Sequence, residues 1–205
     1  MTVQIENTKD RFLYHALKLF GERGYGSVTV AQIAKEVGCT APALYKHYSG
    51  KRELFEAILK KNVLGRSDLF SSRELTDQEK AIYISFPEEE QIKALKDTFL
   101  YVVTDEWVVA FRKFMLMEQH HMPELATMYN EHYIDLQCDK FEAIYKMMME
   151  EGFMIPGDAR ARASMMIAPL LELIGICDRD ASRVSWALEC IDAHVREFNA
   201  LTRIR

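Results

Sequence analysis

Apolar side chains recur every three or four positions along the first sixty residues, in short runs cut by glycine. Phe12, Leu13, Ala16, Leu17 and Phe20 share one helical face and predict a helix over roughly 8–22, ended by Gly21, Gly24 and Gly26. A second run, Val30, Ile33, Ala34 and Val37, follows the N-cap Thr29 and stops at Gly38. Thr40 then caps a third segment, 41–47, in which Pro42 falls in the first turn, where no intrahelical donor is missed. Ser49 or Gly50 opens a fourth helix with the face Leu54, Phe55, Ile58, Leu59 and Val63.

Farther along, the pattern predicts long helices over 88–103, 106–120 and 123–151, and no segment alternates with the period of a strand. The expected fold class is all-α. Two C-terminal stripes have heptad-like spacing. Ala163, Ile167, Leu170 and Ile174 form one, with Ala168 and Gly175 permitting close approach and Pro169 bending the helix without ending it. Val184, Leu188, Ile191, Val195 and Phe198 form the other. Two adjacent striped helices suit an intermolecular four-helix bundle, so Ile167, Leu170, Ile174, Val184, Leu188, Ile191, Val195 and Phe198 are the candidate dimer contacts, within about 157–202.

The second and third helices are too short to bury themselves and must pack on the first and fourth. That is the arrangement of a helix-turn-helix, whose second helix enters the major groove while the first crosses the backbone. Thr40, Ala41 and Ala43 are small enough for close approach to base edges. Ala41, Pro42 and the Thr40 methyl suit contact with thymine methyls, and Lys46 is the long basic side chain on this helix. Tyr45, His47, Tyr48 and Lys51 bring hydroxyl, imidazole and ammonium groups to its end, where phosphates set register. Adjacent positions face differently, which assigns Tyr45 to phosphate and Tyr48 to the core.

These residues resemble the DNA-binding domain of TetR-type transcriptional regulators. The pattern runs through Thr29, Ile33-Ala34, Gly38, Thr40, Leu44-Tyr45-Lys46-His47-Tyr48, Lys51 and Leu54. Upstream, Ala16, Phe20, Gly24 and Tyr25 stand where the family's first helix and loop place them. Tyr48 replaces the usual Phe. The resemblance covers the first quarter of the chain and implies phosphate-contacting roles for Thr29, Tyr45, His47 and Lys51. It implies base-proximal roles for Thr40, Ala41, Pro42, Ala43 and Lys46. It also implies an all-helical ligand-binding domain, dimerisation through the last two helices, and a palindromic double-stranded operator as partner. The expected division is 1–52 for DNA binding and 53–205 for ligand binding and dimerisation.

Charge sharpens this division. The chain of 205 residues carries a formal net charge of −5. Residues 1–66 hold eleven Lys and Arg against six Asp and Glu, a net +5, which leaves −10 on the remainder. A local basic surface is all that counterion release requires. The four cysteines are far apart, without the spacing of a zinc site or a secreted disulfide framework, and the N-terminus has no apolar stretch of signal-peptide length. The longest apolar run is broken by Pro169 and Glu172, so no membrane span and a cytoplasmic location are expected.

Beyond residue 66 composition carries the information. All eleven methionines except Met1 lie between Met115 and Met166, and ten aromatic residues lie between Phe99 and Phe153. A cavity lined by such side chains can remodel around varied apolar guests, whereas the same stripes also build ordinary cores. The candidate pocket residues are Phe99, Trp107, Phe111, Met115, Glu118, Met122, Tyr129, Tyr133, Phe141, Met166 and Leu170. Glu118, His120, His121 and His132 form the one suggestive polar cluster, but no two of the histidines have the spacing that puts metal ligands on one helical face. No nucleophile elbow or phosphate-cradling loop is present, so neither catalysis nor a metal or cofactor is expected. The expected activity is that of a homodimeric repressor released from DNA by a small, largely apolar ligand. Two alternatives are a redox sensor using Cys39 or Cys138, and a regulator controlled by a protein partner without a small ligand.

Overall fold

The computed structural model describes residues 7–65, 76, 78, 81 and 84–204. These are helical apart from turns and one β-bridge, in keeping with the all-α expectation. In chain order the helices are α1 (Thr8–Arg23), α2 (Val30–Glu36), α3 (Ala41–Tyr45), α4 (Lys51–Gly65), α5 (Glu88–Thr104), α6 (Glu106–Glu118), α7 (Pro123–Tyr129), α8 (Leu136–Glu150), α9 (Ala159–Arg179) and α10 (Val184–Thr202). A π-helical stretch, Asn130–Asp135, joins α7 to α8, and a 3-10 turn, Ala181–Arg183, leads into α10. The described residues gather into two compact units. The first holds 7–65 and 104–129, the second 76–103 and 130–204.

In the first unit α1 is the central element. Asn7 caps it by accepting the Asp10 N–H, and its buried residues include Phe12, Leu13, Ala16, Leu17 and Phe20, as their spacing predicts. One side of α1 meets α2 and α4; another lies along α6. Gly21 allows that approach, because a Cβ there would sit 3.1 Å from the Ala110 carbonyl. Phe20, Tyr25, Phe55 and Phe114 meet with ring centroids 5.0–5.9 Å apart, joining α1, α4 and α6 in one aromatic core. Ile33, Ala34, Leu44, Leu54 and Ile58 are buried as expected; the side chain of Val63 lies outside the described residues.

In the second unit α9 packs against α8 and α10. Tyr145 stacks on Phe198, with centroids 5.4 Å apart. Residues of α5 are tied to α10 by Lys96 to Asp192 at 2.7 Å, by Arg196 to Glu88 and Glu89, and by Asn199 to Glu88. Pro169 stands inside α9 without ending it. The single helix expected over 123–151 is interrupted by the π-helical residues.

Candidate nucleic-acid interface

Local signals set α2 and the turn after it. Thr29 accepts the Gln32 N–H through its hydroxyl, and the Gln32 side chain accepts the Thr29 N–H at 2.8 Å, a complete capping box. At the other end Gly38 adopts φ +74°, Cys39 N–H reaches the Ala34 carbonyl at 2.8 Å and Gly38 N–H the Lys35 carbonyl at 3.0 Å. This Schellman turn needs a left-handed residue at position 38, which glycine takes without a Cβ penalty.

The second helix of the pair is shorter than its pattern predicts. It ends at Tyr45, and Lys46 and His47 form a tight turn in which the His47 N–H bonds the Leu44 carbonyl. Tyr48 explains the stop: its ring is buried in the unit and its hydroxyl reaches toward the Lys9 carbonyl. Burial raises the Tyr48 pKa well above that of a free phenol, with Asp10 and Glu53 adding to the effect. Leu44 and Tyr48 therefore anchor a segment whose other face is open. Thr40, Pro42, Tyr45, Lys46 and His47 are exposed, Tyr45 at 55%, and Ala41 and Ala43 are half-buried. Thr40 holds the cap position with extended backbone, yet its hydroxyl caps nothing in the helix. The His47 ring lies 6.0 Å from that of Phe12.

Two predicted phosphate contacts have local partners. The Thr29 hydroxyl belongs to the capping box. Lys51 is engaged more fully, its ammonium donating to the carbonyls of Tyr25 (2.6 Å), Val28 (2.9 Å) and Gly26 (3.4 Å) while lying over the Tyr25 ring. An ammonium has three donors, and here each faces a carbonyl. Glu53 fixes the start of α4 by accepting the Ser49 N–H, which holds its carboxyl below the usual carboxylate range.

Among the pocket candidates, Trp107, Phe111, Met115 and Glu118 are buried in the first unit, and Met122 and Tyr129 are half-buried there. Trp107 stacks on Tyr14 with Lys61 over its ring, and the Glu118 carboxylate accepts the Tyr25 backbone N–H at 2.6 Å. In the second unit Phe99, Tyr133 and Met166 are buried, Phe141 and Leu170 half-buried. Of the dimer candidates, Ile167, Ile174, Ile191, Val195 and Phe198 are buried within the unit itself, and Leu170, Val184 and Leu188 half-buried. The outward faces carry Met165, Ala168 and Pro169 on α9 and Trp186, Ala193 and Leu201 on α10. His120 and His121 are exposed, and among the described residues no three His, Cys, Asp or Glu gather as metal ligands. Cys138 and Cys177 are buried thiols, Cys39 and Cys190 half-buried ones.

Arg112 went unnoticed in the sequence although it is wholly buried in α6. Its signal was positional, because Val108, Arg112 and Met115 recur at helical spacing on one face. Gln32 was missed too, although Thr29-x-x-Gln32 has the capping-box spacing.

A capped helix, a glycine turn, and a second short helix presenting small residues beside an aromatic and basic end together define a helix-turn-helix domain. Residues 12–58 match the family model described as bacterial regulatory proteins, tetR family. The chain is 38% identical over 56 residues to the HTH-type transcriptional regulator SrpR of Pseudomonas putida, a match covering 27% of this chain and 26% of that protein. The whole chain shares its fold with SmeT in complex with triclosan, at TM-score 0.67 and 20% identity over 96% of this chain and 92% of that one. It also resembles a transcriptional regulator from Saccharomonospora viridis in complex with choline, at TM-score 0.63 and 20% identity over 96% and 98%. Residues 12–58 therefore form a helix-turn-helix of the tetR type, and the chain as a whole has the fold of these solved regulators while its sequence match spans about a quarter of the curated relatives' length. Among the described residues no helix is long and apolar enough to cross a membrane.

Proposed function

We propose that this chain is a cytoplasmic, homodimeric repressor that binds a palindromic operator and is released by a small, largely apolar ligand. The observation that carries the DNA-binding reading is the open face of Thr40, Pro42, Tyr45 and Lys46, set on the buried anchors Leu44 and Tyr48. Thr40, Ala41, Pro42, Ala43 and Lys46 approach base edges, while Tyr45 and His47 reach phosphates. Lys51 and Thr29 support them, holding the loop and the cap that orient the pair. Residues 1–52 serve DNA and 53–205 ligand and partner subunit. SmeT, described as the repressor of the Stenotrophomonas maltophilia multidrug efflux pump SmeDEF, supports repression by analogy, and its triclosan complex supports control by a small molecule. The choline complex of the Saccharomonospora viridis regulator supports the same kind of control.

Dimerisation belongs to the outward faces of α9 and α10, because the inward stripes are already covered. A two-fold pair would present two α3 segments to successive major grooves. A ligand can release DNA only by favouring a conformation that fits the operator badly.

The test is fluorescence anisotropy with DNA flanking the gene, at two salt concentrations. Tight binding to a palindrome, weakened by salt and by Tyr45→Phe and Lys46→Ala, supports the proposal; no binding at low salt on any flanking fragment overturns it.

A further inference from the structure

Glu118 is the last residue of α6 and is buried, at 6% exposure. Its Oε1 accepts the backbone N–H of Tyr25, in the loop between α1 and α2, at 2.6 Å and across 93 positions of sequence. A buried carboxyl group requires such donors, and 2.6 Å is at the short end for an N–H to oxygen bond. Gly24 independently marks the same contact. Its φ is +80°, and a Cβ built there would lie 2.9 Å from Glu118 Oε1, so the carboxylate occupies space that a side chain at position 24 would take.

The other side of the loop is held by the opposite charge. Lys51 donates to the Tyr25, Gly26 and Val28 carbonyls, so the amide of Tyr25 goes to α6 and its carbonyl to α4. Val28, at 1% exposure, and the cap Thr29 follow directly, and Thr29 starts α2. The direction in which α2 leaves the loop, and with it the placement of α3, depends on this loop being pinned from both sides.

We propose that Glu118 is a positioning residue for operator recognition: through the Tyr25 amide it makes the placement of the helix-turn-helix answer to the C-terminal end of α6. This rests on the DNA-binding reading above. A displacement of that end by an ångström breaks the bond and releases the loop from one of its two anchors.

The same two helices provide an internal control, since Tyr14 on α1 donates to Glu106 at the start of α6 without touching the loop. The experiment uses the full chain with Glu118→Ala, Glu118→Asp, Glu118→Gln and Tyr14→Phe. It measures operator affinity, thermal midpoint and hydrogen exchange at the Tyr25 amide. Glu118→Asp keeps the charge but lacks the reach, and Glu118→Gln keeps an acceptor oxygen of the right length. The expected result is an operator Kd weakened about tenfold or more in the Ala and Asp variants, with loss of Tyr25 amide protection. Glu118→Gln should recover most of both, and Tyr14→Phe should stay within about twofold of the parent Kd.

The proposal is overturned if wild-type protein binds the operator and the Ala and Asp variants bind equally well, or if Tyr25 protection is unchanged. It is also overturned if Tyr14→Phe loses affinity in proportion to the same loss of thermal midpoint, because the effect is then general destabilisation. Wild-type protein that binds no DNA removes the DNA-binding reading itself, an outcome distinct from those three.

Discussion

Tyr14 lies half-buried between α1 and α6, its ring stacked on Trp107 and its hydroxyl donated to Glu106. Burial, followed by the bond to Glu106 and that residue's charge, pushes its pKa from 10.0 up to about 12. A phenol held protonated more tightly in the folded chain stabilises it fully below pH 10, and that contribution is lost as pH rises through about 12. Absorbance titration at 295 nm should therefore show a group of late-titrating tyrosines, Tyr14 and Tyr48 among them, that the unfolded chain lacks, and Tyr14→Phe should remove one member of it; an unchanged titration would contradict the assignment. Lys51 makes a second case. Lys51→Met deletes three donors to loop carbonyls, and urea unfolding should register a loss of about 1–3 kcal/mol. At this scale the sequence shows which residue types are present but not whom they meet. Nothing local to "MEQHH" says that Glu118 ends on the amide of Tyr25, because the partner lies 93 positions away.

Elements with their own punctuation were readable. The bounds of α1, α2 and α4 follow from Thr29, Gly24, Gly38 and Ser49, because caps and left-handed turns act within four residues of themselves. The shortening of α3 to Tyr45 was not readable, since it follows from where the Tyr48 ring is buried. Nor was the π-helical break at Asn130–Asp135, which has neither proline nor glycine to announce it. The C-terminal stripes are periodic in the sequence, but periodicity does not say what covers a face. Both faces of α10 bear apolar residues, and the subunit's own core covers the richer one. Gly38→Ala tests the turn at this scale. Open space surrounds position 38, so the cost is confined to the left-handed backbone, about 1 kcal/mol in chemical denaturation. A loss several times larger would mean that the turn also carries packing.

Over the whole molecule, a net +5 on residues 1–66 and −10 on the rest divide the chain electrostatically. The outward faces of α9 and α10 are where the proposed pairing is tested. Trp186→Glu combined with Leu201→Glu replaces an aromatic and an apolar group that are 38% and 62% exposed in the single chain, so the subunit should remain folded. Sedimentation velocity should then show a monomer, and a persistent dimer would move the interface elsewhere. Family resemblance made the head legible from a quarter of the chain, but not what supports it. Matching residues end at 58, whereas the compact unit that contains them also takes in 104–129. Phe20 and Phe55 of the matching region rest on Phe114, which lies outside it. A chimera that exchanged only the matching residues for those of a relative would set a foreign α1 on the native α6. Specificity transplanted between such proteins therefore has to travel as two separated stretches of chain, and a head excised at residue 65 would leave that aromatic core open to water.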